Sequence, residues 1–421
     1  MFLNIRSTLG DMAKLSFEDL SFDEEGERIK VNFLRIFFFY LPKKDLEKID
    51  DFTIEKNAIS FKNISQEKAE KKFYMLLEKG FKDLKNGLNN KPAVYAHKNS
   101  GIPLIGNVAF GLIDRDTNVI EVKPITGCNL KCVYCSVDED KRPVDFVVEE
   151  DYLAEEFRKL VEFKKVENIE AHIASQGEPL LYAALTELIK DLAKIKEVKV
   201  ISIDTNGIML TKNKVDELID AGLTRFNFSI NALDEKIAKE VAGCAYDIGK
   251  IKEICKYISG KANLIITPVL IPGVNDDEMP KIIEFAKELK ADIGIQNFLN
   301  YKFGRNPVKH MGFEDFYDRL RGWEKKFGVK LIKSVEDFDI VKAKPLPKPF
   351  RKNEVVEADI VCIGRLPYEK IAVAKETSEG RFRKDKVFSK RSISLPNCDK
   401  KGKVRVKITR TKHNIFIGSV C

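Results

Sequence analysis

"NVIEVKPITGCNLKCVYCS", residues 118–136, runs from an alternating apolar stretch straight into a loop carrying Cys128, Cys132 and Cys135. The alternation predicts a strand at 118–125, so the cysteines lie in the loop after it. Further strand patterns follow at 168–174, 198–204, 225–231, 263–270 and 291–298. Helical patterns lie between them at 149–163, 181–195, 211–222, 247–258 and 277–290. A βα series of this kind implies a parallel sheet covered by helices. Six units predict an α/β fold built on a partial (β/α)6 TIM-like barrel, with a flat doubly wound sheet as the alternative. Loops that follow barrel strands are where this architecture places chemistry.

The flanks read differently. Residues 1–112 are expected to form an N-terminal α+β extension, with one or two strands in "RIKVNFLRIFFFYL" (28–41) and an amphipathic helix over 65–88, closed by the turn residues of "NNKPAVY" (89–95). The barrel is assigned to 113–335 and a linker to 336–354, which includes the Pro- and Lys-rich "KAKPLPKPFRKN" (342–353). Residues 355–421 hold short alternating runs broken by Gly, Asn and Pro, the pattern of a small C-terminal β-barrel.

Charge is uneven along the chain. Residues 341–421 carry 21 Lys/Arg against 8 Asp/Glu, a balance of +13, leaving 52 against 57 upstream. The net +8 is therefore a property of the tail, and it points to an anionic partner there, with a solvated lysine-rich face as the plainer reading. No apolar run reaches the ~18 residues of a membrane helix. The start does not read as a secretion signal, so a cytoplasmic protein without a membrane partner is expected. Eight cysteines in 421 residues are too sparse for a disulfide scaffold.

Three thiols at Cys128-x3-Cys132-x2-Cys135 are one short of a four-cysteine structural site. Zinc would need a fourth ligand such as His172, whereas a four-iron cluster held by three cysteines keeps one iron open. With Tyr134 before the last cysteine, the loop resembles that of the radical SAM superfamily. The resemblance implies a [4Fe-4S] cluster on Cys128, Cys132 and Cys135, whose open iron binds S-adenosylmethionine. One-electron reduction, by a donor such as ferredoxin or flavodoxin, would then give a 5′-deoxyadenosyl radical that abstracts hydrogen from substrate.

The same resemblance assigns cofactor contacts. Gln176, Gly177, Glu178 and Pro179 stand where the family has Gly-Gly-Glu-Pro, with Gln176 in place of the first glycine. Glycine lets backbone approach a ligand, and Glu178 offers an acceptor for a cationic amine. Thr205 and Asn206 match a Thr-Asn-Gly turn after strand three; Ser229 and Asn231 share one face of strand four. Pro272 lies in the segment resembling the adenine contact, and Asn297 follows strand six at the mouth with Gln296 and Asn300. Arg305 is a candidate for a phosphate or the cofactor carboxylate, or else a surface salt bridge. The resemblance covers 118 to about 300; the whole chain also resembles archaeal iron–sulfur oxidoreductases, in which a run such as "NSGIPLIGNVAFGLIDR" (99–115) precedes the core, and that likeness names no substrate.

Residues 355–421 resemble a TRAM domain, which implies RNA, and tRNA is the natural substrate guess. Basic strands would grip phosphates, and Phe382, Phe388 or Phe416 would stack a base or fill the core. Methylthiotransferases share this plan, but they carry further cysteines upstream, and no cysteine precedes Cys128 here. Cys244 and Cys421 are the candidates for additional catalytic thiols, Cys255 reads as core, and Cys362, Cys398 and Cys421 would hold a second metal only if the tail gathers them. The reading is a radical SAM enzyme that modifies RNA. The alternatives are a radical SAM enzyme acting on a protein or small metabolite, and a non-enzymatic metal-binding RNA adaptor.

Overall fold

In the computed structural model, residues 12–374 and 390–421 are described; Phe382 and Phe388 lie outside them. The chain divides into two compact units, one of Met1–Tyr95 with Pro143–Val147, the other of Ala96–Arg142 with Val148–Cys421.

The first unit is α+β. Strands Leu20–Glu25, Arg28–Phe33, Phe37–Pro42 and Lys85–Asn86 form one antiparallel sheet; Ala13–Ser16, Ala58–Phe61 and Phe52–Glu55 form another. The stretch 28–41 is thus two strands, turned at Leu34 and Arg35, both at positive φ. Helix Gln66–Phe81 buries Ala69, Phe73, Leu77 and Gly80. It stops at Phe81, about two turns short of the predicted end, because the next residues enter the sheet through Lys85–Asn86.

The second unit holds the barrel strands β1 (Val119–Lys123), β2 (Ile169–Ile173), β3 (Val198–Thr205), β4 (Arg225–Phe228), β5 (Asn263–Ile266) and β6 (Asp292–Ile293). They pair in parallel in chain order, with Gly111–Asp114 antiparallel to β1 at the edge. A doubly wound sheet would reverse strand order at a switch point. This order never reverses, so the sheet is the partial barrel. Helices α1 (Glu150–Lys164), α2 (Leu185–Ala193), α3 (Lys212–Asp220), α4 (Glu235–Ala242), α5 (Ile248–Ser259), α6 (Glu278–Glu288) and α7 (Phe313–Phe327) follow the strands. Pro268 lacks the amide a strand interior needs, and β5 breaks there; Val269–Leu270 then pairs with Gln296–Asn297 beyond the break.

The pleat sorts the sheet into two faces. Ile120 and Val122, Ala171 and Ile173, Ile201 and Ile203, and Phe226 and Phe228 are buried on one. The other carries Glu121, Lys123, Glu170, His172, Ser202, Asp204, Arg225 and Asn227, aligned by the strand registers. A parallel strand buried on both faces is usually apolar throughout. Here the interior face is polar, and it ends at the cysteine loop.

Strands β7 (Val355–Ile363), β8 (Lys370–Ala374), β9 (Ser392–Leu395), β10 (Lys403–Arg410) and β11 (Ile417–Val420) close into a small barrel in the order β7-β8-β9-β11-β10. Its core includes Phe350, Val356, Ala358, Ile393, Leu395, Val406, Ile408 and Phe416. Phe416 packs edge-on against Phe350, with ring centroids 5.1 Å apart, which makes it a core side chain and not a base-stacking platform. The expected linker is fastened to the large barrel. Asn118 exchanges bonds with Val341, Leu346 donates to Asp114, and the same Asp114 pairs with buried Lys164 at 2.6 Å.

The two barrels are stitched through residues 105–107. Ser392 N–H donates to the Ile105 carbonyl at 2.9 Å, Phe416 N–H to the Gly106 carbonyl at 3.0 Å, and the Asn107 amide to Ser394 Oγ at 3.1 Å. Gly106 has φ +121°, and a Cβ there would run into the Ser392 backbone. Gly106→Ala should therefore lower stability by about 2–4 kcal/mol, read as a fall in the denaturant midpoint of the unfolding transition.

Candidate active site

The cysteine loop leaves β1 and is pinned on both sides. Lys131 and Val133 donate N–H bonds to the carbonyls of Ala242 and Val241, at the end of α4. Arg305 braces it from the other direction: its backbone N–H bonds the Cys135 carbonyl at 2.9 Å, and its guanidinium reaches the Cys132 carbonyl and the carboxylates of Asp138, Glu139 and Asp140. Arg305 is thus engaged with the loop's own acids, the salt-bridge reading of this residue.

Burial pushes all three thiols up, Cys132 to about 11 and Cys135 to about 12, with Cys128 higher still. They would stay protonated at neutral pH unless a cationic centre compensated the thiolates. Their sulfurs are not gathered within 4.8 Å of one another. A tetrahedral zinc with sulfur at about 2.3 Å would need them about 3.8 Å apart.

Behind the cysteines sits Glu178, its carboxylate buried. It accepts from the Leu180 N–H at 3.1 Å, the Thr205 hydroxyl at 2.7 Å and the Asn206 N–H at 2.9 Å. Burial lifts its pKa to about 7 even though these three donors favour the charged form. Asn206 in turn bonds Asn129 of the cysteine loop at 2.8 Å. Asn231 joins Tyr134 Oη, at 2.8 Å, to the Val269 N–H. Loops after β1, β2, β3 and β4 are thereby locked to each other.

These loops bound a cavity of about 760 Å³. Cys128, Cys132 and Cys135 line it with Gln176, Gly177, Glu178, Thr205, Asn206, Ser229 and Asn231, so the structure brings these expected residues together. Pro179, Pro272, Asn297 and Arg305 stand outside the lining; Asn297 bonds the Met311 carbonyl instead. Cys244 lies behind the loop, against the Asn129 carbonyl at 3.9 Å, and Cys421 is exposed at the end of the small barrel. Cys255 is fully buried in α5, and Cys362, Cys398 and Cys421 are not gathered into a metal group.

Several lining residues were missing from the sequence reading: Glu121, Lys123, Asp204, Tyr246 and Arg365. The first three carried a signal, charged residues at alternate positions of strands otherwise apolar. His172, considered above only as a zinc ligand, bonds Ser202 at 2.8 Å and pairs with Asp204 at 3.3 Å. Burial works against its charge, but Asp204 and Glu170 outweigh it and raise its pKa.

Residues 122–286 match the family described as the Radical SAM superfamily. The uncharacterized protein MJ0103 of Methanocaldococcus jannaschii is 40% identical over 375 residues, covering 80% of this chain and 83% of that protein. The GTP 3′,8-cyclase of Campylobacter jejuni subsp. doylei is 30% identical over 226 residues, 53% of this chain and 68% of the cyclase. Among solved structures, Streptococcus suis SuiB bound to S-adenosylmethionine aligns over 75% of this chain and 71% of its own, at 16% identity and a TM-score of 0.42.

The cofactors of that family are a [4Fe-4S] cluster and S-adenosylmethionine, and the residues present fit them. The three buried thiols are a sulfur-rich donor set short of one ligand. Gly177 leaves a cradle that a Cβ would fill against the Gly127 carbonyl, and the buried Ser175 hydroxyl on the cavity wall has no partner among the described residues. When bound, the pair supplies a 5′-deoxyadenosyl radical. Cys128, Cys132 and Cys135 would hold the cluster, while the loops fixed by Glu178 and Asn231 shape the space beside it and limit access of water.

Two outcomes follow. Replacing Cys128, Cys132 or Cys135 by Ala should reduce iron in the anaerobically reconstituted protein to near background, while Cys255→Ala leaves it unchanged. The raised His172 pKa stabilises the fold fully below the ordinary value of about 6.5 and less as pH rises through the folded one. His172→Gln should flatten the loss of stability above neutral pH in a denaturation series.

Proposed function

This chain belongs to the radical SAM superfamily, and from that premise we propose that it acts on a small metabolite taken whole into the barrel, using a one-electron donor such as ferredoxin or flavodoxin. One observation carries this reading: the cysteines and the polar barrel interior share a single cavity of about 760 Å³. That is the size of a site for a cofactor and a small ligand together. Its far wall is charged, with Glu121 paired to Lys123 at 3.1 Å and to Arg115, and Asp204 paired to His172. Fixed charges of both signs suit a polar substrate held in one orientation. The resemblance to proteins named for a reaction of GTP, a small anionic metabolite, supports the same class.

A second reading, modification of RNA through a TRAM-like tail, rests on β10. Lys403, Arg405 and Lys407 alternate along its exposed side, a row suited to phosphates. Acidic Glu357 and Asp359 lie directly across from Arg405 and Lys403 on β7, which weakens that row as an RNA track. No helix among the described residues is long and apolar enough to cross a membrane.

Anaerobically reconstituted protein should be given a metabolite extract and total RNA in parallel, and 5′-deoxyadenosine followed with each. The proposal expects a metabolite to be consumed in step with it. It also expects joint reversal of Lys403, Arg405 and Lys407 to Glu to change that rate by no more than about twofold. A new modified nucleoside in RNA, abolished by the same charge reversal, would overturn the proposal in favour of the second reading.

A further inference from the structure

Arg365 comes from the small barrel, yet it lines the reaction cavity. It lies in the turn between β7 and β8. That turn is closed by the Gly364 N–H to the Glu369 carbonyl at 2.8 Å, the Glu369 N–H to the Leu366 carbonyl at 3.1 Å, and the Leu366 N–H to Glu369 Oε2 at 3.0 Å. From it Arg365 donates to Gln176 Oε1 at 2.9 Å, 189 positions away in the chain. The turn cannot drift, because the barrel carrying it is bonded to Ile105, Gly106 and Asn107, and Val108 of the same segment also lines the cavity. The stretch 99–115, which named no chemistry as sequence, is thus the dock for a wall of the site.

Charge sets Arg365 apart. The cavity's other cations are matched: Arg115 and Lys123 with Glu121, His172 with Asp204. Among the described residues, no carboxylate lies within ion-pair distance of Arg365. Burial, with a further contribution from nearby Arg142, lowers its pKa against the pull of Glu369. A half-buried guanidinium in this condition favours an arriving anion, and its fork matches a carboxylate or a phosphate. Position indicates whose anion it is. The cofactor contacts discussed above that line the cavity fall within 122–286, the stretch matching the family. Arg365 lies outside that stretch, on a domain the shared chemistry does not require.

We propose that Arg365, carried into the cavity by the small barrel, anchors an anionic group, a phosphate or a carboxylate, of the small-molecule substrate. This rests on the small-metabolite reading above and adds the chemical class. The small barrel then selects substrate by closing the chamber with the cation that the substrate must match.

The test uses the full chain, anaerobically reconstituted and saturated with S-adenosylmethionine, titrated calorimetrically with pyrophosphate and, separately, malonate. Wild type should bind one of the two, and which one separates phosphate from carboxylate. R365Q should weaken that binding by at least about tenfold, and R365K should keep it within about threefold. Affinity for S-adenosylmethionine should stay within about twofold in both variants. If R365Q fails to hold iron, Gln176→Glu, which would neutralise the guanidinium in place, should give the same tenfold loss. The proposal is overturned if neither anion binds wild type, or if R365Q binds as wild type does. It is equally overturned if R365Q loses about tenfold in S-adenosylmethionine affinity, which would put the guanidinium on the cofactor carboxylate. Failure of the small-metabolite reading shows elsewhere, as a modified nucleoside in RNA, and leaves the outcome of the anion titration distinct.

Discussion

A single buried carboxylate holds the site in shape. Glu178 takes one hydrogen bond from its own turn, one from Thr205 at the end of β3 and one from Asn206 in the loop after it, and Asn206 passes the restraint on to Asn129 beside the first cysteine. Burying a carboxylate is costly unless donors surround it. Glu178 has three donors, and their opposition to burial leaves its pKa near neutrality and not far above it. The cysteine loop has few regular backbone bonds of its own, so this clasp, with the α4 contacts and the Arg305 brace, holds the thiols where a cluster can join them.

The polar barrel interior follows from the same logic. Charged side chains along β1 to β4 are tolerable because they meet one another across the strands: Glu121 with Lys123, Glu170 with Arg225, His172 with Asp204. Apolar residues at the intervening positions supply the packing under the helices. Stability and chemistry are therefore divided between the two faces of one sheet. The small barrel completes the division by adding a wall to the polar side while keeping its own core, centred on Phe350 and Phe416, separate.

Much of the fold could be read from sequence, because its signals are local. The strand periodicities located all six barrel strands, and the short alternating runs of the tail are strands of the small barrel. Where local signals were absent, the reading stopped short. Leu34 and Arg35 turn a hairpin without a Gly or Asn to mark it, so one strand and two could not be told apart. Helix α4 was overlooked although Asp234 caps its start and Gly243 its end; its eight residues are too few for a strong period. Most of the site residues expected from the cysteine spacing and the turn sequences line the one cavity. Asn297 and Arg305 have the right polarity but are drawn to other partners, Met311 and the acids after Cys135.

Sequence by itself determined the order of the barrel strands, the thiol triplet and the basic tail, because each depends on residues close together in the chain. Only the tertiary structure decided that the inward charges pair into a lined chamber, that the tail's Phe416 is core, and that Arg365 meets Gln176. Those facts depend on which distant segments touch, and a one-dimensional pattern carries no record of a contact spanning 189 positions.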